Sequence, residues 1–175
     1  MYKTIVPTLI TNGHFNREIT LKELKRIGAD SVALAVEREL QYRFSSPENL
    51  QLLRELIEYY QENGLAVLVW LGETFGHEGG KPEGDQPYAN MRLIDEGDIK
   101  AFCPLDESFK QDICLWITKI AECGAKMILL DDDFRLGLRP GLGCCCDLHL
   151  MELKRELGEA ISVEHLREKI FHGGG

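Results

Sequence analysis

The chain has 175 residues, 20 lysines plus arginines against 29 aspartates plus glutamates, a formal net charge of −9 and 44% hydrophobic content. This balance excludes wholesale disorder, and its acidity argues against nucleic acid or an anionic membrane surface as the main partner. No apolar run reaches the ~18–20 residues of a membrane span, and six cysteines without a secretory signal read as thiols or metal ligands in a reducing cytoplasm.

Four short apolar runs set the rhythm, at residues 5–10, 31–36, 66–71 and 126–130. Each is nearly continuous, the pattern of strands buried on both faces in a parallel sheet. Helical spacing fills the intervals. Thr20 is placed to cap a helix through Leu21, Leu24 and Ile27, with Gly28 as its stop. Ser46 and Pro47 open a second helix that carries Leu50, Leu53, Leu56, Ile57 and Tyr60 and ends at Asn63-Gly64. Ser108 starts a third, with Ile113, Trp116, Ile117 and Ile120 on one face and Gly124 as its stop. Cys114 and Cys123 fall on this helix pattern as packing residues. Residues 72–104 read as a long polar loop rich in Gly and Pro, and two helices follow the fourth run.

The expected class is α/β, built from parallel (β/α) units with right-handed crossovers. Four such units make a half or partial TIM barrel, so residues 1–175 read as a single α/β domain forming the N-terminal half of a (β/α)₈ barrel. A doubly wound domain with an open four-stranded sheet fits the same pattern.

Chemistry concentrates in two places. Asp131, Asp132 and Asp133 follow the fourth run, where a parallel strand delivers side chains to a site. Adjacent carboxylates repel, so one can be held protonated as a general acid while another contacts hydroxyls or a cation such as Mg²⁺ or Mn²⁺. Capping of the next helix is the structural alternative, although one aspartate suffices for that. The second place is Cys144-Cys145-Cys146-Asp147-Leu148-His149. Its Cys-x-Cys-x-x-His spacing can give three ligands to zinc, with Cys103 as a fourth, and a run of small buried thiols fits equally well. After the third run, Trp70 and Phe75 could stack on a sugar ring, and Glu73, His77 and Glu78 could bind hydroxyls. Glu37 and Arg38 after the second run, and Asn12 and His14 after the first, lie at the same strand ends. Arg135 would keep a neighbouring carboxylate ionised.

The segment from Ala101-Phe102-Cys103-Pro104 to His149 resembles part of the (β/α)₈ barrels of glycoside hydrolases, nearest to the family 42 β-galactosidases and poorly characterised glycosyl hydrolases related to them. The matching pieces are Cys103-Pro104, Leu130-Asp131-Asp132-Asp133-Phe134 and the Cys144–His149 run. The resemblance implies that Asp133 stands where the family keeps its acid/base glutamate and Asp132 where it keeps the preceding asparagine. It also implies a zinc site from Cys103, Cys144, Cys146 and His149. Aspartate is one methylene shorter than glutamate, and His149 stands in place of the family's last cysteine. The family's nucleophile comes from a later strand.

The expected activity is hydrolysis of a glycosidic bond. Asp133 and Asp132 are the catalytic pair, and Asp131, Trp70, Glu73, Glu37 and Arg38 line the sugar pocket. No cofactor is needed for that chemistry, and zinc would be structural. A divalent-metal-dependent sugar isomerase or aldolase, and a non-catalytic carbohydrate-binding half-barrel, are the competing readings. A carbohydrate is the expected partner, with pairing to a second copy favoured by the apolar surface a half-barrel leaves open.

Overall fold

The computed structural model describes residues 4–10, 15–36, 46–72, 74, 87–94, 97–131 and 143–172. In chain order the elements are β1 (Ile5–Leu9), α1 (Arg17–Arg26), β2 (Ser31–Val36), α2 (Pro47–Glu62), β3 (Ala66–Leu71), β4 (Asn90–Leu93), β5 (Gly97–Phe102), α3 (Glu107–Glu122), β6 (Ile128–Leu130), α4 (Asp147–Leu157) and α5 (Val163–Phe171). They divide into two compact units, Met1–Thr74 with Ile113–Asp131, and Phe75–Asp112 with Asp132–Gly175. None of the described helices is long and apolar enough to cross a membrane.

The first unit is a parallel four-stranded sheet in the order β1-β2-β3-β6. All four expected strands are present. Strand alternation sorts the side chains into two faces. Val6, Val32 and Val67 lie in one row, Leu34, Val69 and Ile128 in the next, and Val36, Leu71 and Leu130 in a third. All nine join one hydrophobic cluster with Leu21 and Leu24 of α1, Leu53, Leu56, Ile57 and Tyr60 of α2, and Ile120 of α3. Helices α1 and α2 and the part of α3 from Ile113 onward therefore cover the same face of the sheet. The opposite face carries Leu9, Ala35, Trp70 and Leu129 in one row.

Burial on both faces holds for β2, where only Ala35 is less than fully buried, and not for the edge strands. Ile5 of β1 is 51% exposed and Leu129 of β6 48% exposed. An edge strand lacks a neighbour on one side, so a continuous apolar run does not by itself secure two covered faces. Pro7 lies in edge strand β1, where its missing N–H leaves fewer ladder bonds unmade.

Two helix starts differ from expectation. Asn16, not Thr20, caps α1, its side-chain oxygen accepting from the N–H groups of Glu18 and Ile19 at 3.0 Å. Asp106, not Ser108, precedes α3 and accepts from Phe109 N–H at 3.0 Å. In both cases an Asx residue upstream competes better for the cap than a hydroxyl one turn in. Ser46 caps α2 with Pro47 in its first turn. Gly64 and Gly124 leave their helices at φ +84° and +98°, a conformation that glycine alone adopts without strain. Cys123 is buried in the core, whereas Cys114 is exposed on the outer surface of α3.

The largest correction concerns residues 72–104. The described part of this stretch contains the antiparallel pair β4–β5, not an unbroken loop. Met91 and Leu93 alternate with polar residues, as do Ile99 and Ala101, and these four are buried in a second cluster with Cys103 and Cys146. Short period-two segments inside a polar stretch give a weak signal, and each strand here is six residues or fewer. Tyr88, Phe102 and Phe109 stack beside it, with ring centroids 5.0–5.5 Å apart.

Candidate metal centre and the strand-end residues

Cys103 leaves the end of β5 immediately before Pro104, which holds its own φ and biases the preceding residue to extended backbone. Its N–H donates to Ala89 O at 2.8 Å, and Asp106 N–H donates back to Cys103 O at 3.0 Å. Cys146 is the N-cap of α4, and its side chain makes no capping bond. His149 lies three residues on, in the first turn of the same helix, so the imidazole and the Cys146 thiol meet on one face. The result is a group of four ligand atoms, from Cys103, Cys144, Cys146 and His149, all within 4.8 Å of one another. Cys103 Sγ and Cys146 Sγ are 3.4 Å apart, and each lies 3.4 Å from His149 Nδ1. Such a group could hold a metal ion, and Nδ1 is the ring atom turned toward the sulfurs.

The surroundings favour negative charge at one sulfur, that of Cys146, over the other two. Leu105 N–H donates to Cys103 Sγ and Arg92 N–H to Cys144 Sγ, both at 3.4 Å. The N-terminus of α4 adds its positive dipole end beside Cys146. Hydrogen bonds from Cys103 and Cys144, with a further one from His149, push the Cys146 thiol far below the usual thiol range. Cys144 is pushed the other way by its bonds to Cys103 and Cys146 and by burial. The cluster thus concentrates one ready thiolate at Cys146. Cys145, between them, is not a member: its thiol donates to Arg92 O, and burial raises it.

Asp106 has no place among the ligands yet organises them, and the sequence reading passed over it. One carboxylate oxygen caps α3 through Phe109 N–H, while the other accepts from Ala89 N–H at 2.9 Å. Ala89 in turn holds Cys103, so one carboxylate ties the helix start, the hairpin start and a ligand loop together. Its signal was available as an Asx residue three positions after Cys103, just ahead of a helical pattern. Asp106→Ala is expected to cost about 1–3 kcal/mol by losing a cap and leaving Ala89 N–H unpaired. Urea titration of the hairpin's amide protection checks this.

A cavity of about 260 Å³ lies against the same hairpin, lined among others by Asn90, Arg92, Asp98, Cys146 and Asp147. Its charges are matched internally. Arg92 pairs with Asp98 at 2.7 Å and with Asp147 at 3.7 Å.

In the first unit, Asp131 follows β6, half-buried, and its N–H continues the parallel ladder by donating to Leu71 O at 3.1 Å. Trp70 is half-buried on the sheet face opposite the helices, outside their cluster. Its indole Nε1 is buried without a hydrogen-bond partner, as is the hydroxyl of Thr74. Asp132, Asp133, Glu73, Glu37 and Arg38 lie outside the described residues, as do Asn12, His14, Phe75, His77, Glu78 and Arg135. Of the expected site residues, the structure brings together Cys103, Cys144, Cys146 and His149. No protein-family model, curated protein or solved structure matches this chain.

Proposed function

We propose that the chain is half of a (β/α)₈ barrel of the glycoside hydrolase kind, and that its second unit carries structural zinc. The placement of α1, α2 and α3 on a single face of the sheet is the observation that carries the fold. A doubly wound sheet has helices on both faces, while a barrel keeps them all outside and turns the other face inward. Sequential parallel order, with β1 and β6 at the two edges of the sheet formed by the described residues, suits a barrel segment.

Zinc is supported by donor chemistry and size. Three thiolates and an imidazole are the soft set that zinc prefers over Mg²⁺ or Mn²⁺. A tetrahedron with Zn–S of about 2.3 Å and Zn–N of about 2.0 Å has S···S edges of about 3.8 Å and S···N edges of about 3.5 Å. The 3.4 Å separations of Cys103, Cys146 and His149 are close to those edges. Four protein ligands leave no open position, so the ion would brace the fold rather than activate water.

For catalysis, the resemblance makes Asp133 the general acid/base and Asp132 a substrate contact, with Asp131, Trp70, Glu73, Glu37 and Arg38 around the sugar. Trp70 supports this role: a half-buried indole outside the helical core offers a stacking face. A retaining mechanism needs a second carboxylate ~5–5.5 Å from the first, contributed by the other half of a barrel.

The test is turnover of a panel of aryl glycosides by the protein expressed from its complete reading frame. Asp133→Asn is expected to lower kcat by about 10²–10⁴-fold, the usual contribution of a positioned acid/base. An unchanged kcat removes Asp133 from the mechanism. A wild-type protein that cleaves none of the panel removes the hydrolase reading.

A further inference from the structure

We propose that the second unit is a metal-conditional fold: the β4–β5 hairpin, the Cys144–Cys146 loop and the start of α4 are ordered while zinc is bound and open when it is removed, and the first unit stays folded throughout. This rests on the zinc reading above.

The two units differ in core size. Among the described residues, the first unit's cluster has sixteen buried members, from helices and strands alike. The second unit's cluster has six among the described residues, and two of these, Cys103 and Cys146, are metal-ligand candidates; Cys144 packs against it, while Ile94, Phe102, Phe109, Cys145 and Ile161 are buried outside it. The middle of this core is thus the ligand set itself. A two-stranded hairpin is marginal alone in water, and this one has a register irregularity between Asn90 and Arg92. Helix α4 has no fully buried residue among its eleven and meets the cluster through the partly buried Leu148, so packing holds it only weakly. The backbone couples these pieces: Cys103 N–H donates to Ala89 O and Cys145 N–H to Arg92 O, both at 2.8 Å. Each bond joins a ligand segment to the hairpin, so loss of the ligand geometry is felt by both strands. Without the ion, four ligand atoms that all lie within 4.8 Å of one another have no shared cation to hold them together. With it, binding free energy becomes folding free energy. The aromatic trio Tyr88, Phe102 and Phe109 is the part of this unit that packs without a ligand.

Hydrogen exchange read by mass spectrometry, on the whole chain with zinc alone added or with zinc removed by a chelator, tests the proposal. Bound zinc is counted in parallel by elemental analysis. With free zinc at about 100 times its Kd, amides of β4, β5 and residues 145–150 should exchange about 100-fold more slowly than in the chelated protein. Amides of β2 and β3 should not change. Both tryptophans, Trp70 and Trp116, belong to the first unit, so their fluorescence should also stay constant on chelation. One zinc per chain with unchanged hairpin protection after its removal overturns the proposal and leaves the zinc site standing. Absence of stoichiometric zinc overturns both. Simultaneous loss of protection in β2 and β3 overturns the independence of the first unit.

Discussion

Cys146→Ser is expected to weaken zinc binding by about two to three orders of magnitude. A structural zinc site has an apparent binding free energy of about 10–16 kcal/mol, and an even share among four ligands is about 2.5–4 kcal/mol. Cys146 is the ligand whose loss should be felt most. It contacts both Cys103 and His149 at 3.4 Å, and it carries the most acidic thiol of the cluster. Competition against a chromophoric chelator measures the change. Cys145→Ser is the control, because Cys145 is a buried neighbour whose thiol only donates to Arg92 O, and a serine hydroxyl can do the same. Equal losses in the two variants would mean that packing, not ligation, is being read.

The pH dependence has a definite sign. Zinc binds thiolates, so protons compete with it and affinity falls as pH falls. Cys146, whose pKa is lowered by its bonds to the neighbouring thiols, contributes less to this slope near neutrality than the others. Cys103 and Cys144, whose pKa values are raised, must release their protons on binding. Affinity should therefore climb as pH rises through the neutral range, with protons released to solvent as the metal enters.

The chain order of the first unit was readable because each apolar run is long enough to be a strand and each helix has a stop that only glycine suits. Val32 to Val36 and Val67 to Leu71 are buried because they are central strands, and the continuous pattern said so. The same pattern misread Ile5 and Leu129, since sequence does not announce which strands will be edges. The hairpin was hidden for a different reason. Met91, Leu93, Ile99 and Ala101 bury a small face whose remaining partners are the thiols of Cys103 and Cys146, more than forty residues apart in sequence. Spacing alone suggested Cys144, Cys146 and His149 as ligands. Cys103 joins them as a fourth only on condition that the fold returns it to them, because nothing local joins position 103 to position 146. Asp106 was missed because a carboxylate that binds backbone groups looks, in sequence, like any other acid before a helix.

The sidedness of the sheet makes the last expectation sharp. Leu34 is fully buried in β2, in one row with Val69 and Ile128 and in the cluster formed with the helices. Leu34→Ala removes three carbons from a site with no solvent access, and should cost about 3–5 kcal/mol from lost transfer energy plus the cavity left behind. For a unit of this size each kcal/mol lowers Tm by about 4–8 °C. Leu129→Ala on β6 deletes the same carbons from the opposite face, where the side chain is 48% exposed. It should cost less than about 1 kcal/mol, since much of that surface is already in water. Tryptophan fluorescence during thermal unfolding reads this unit alone, because both indoles lie in it. A large loss at Leu129 would mean that the face opposite the helices is covered in solution. If the covering partner is a second copy, the same variant should shift the protein to smaller particles in light scattering.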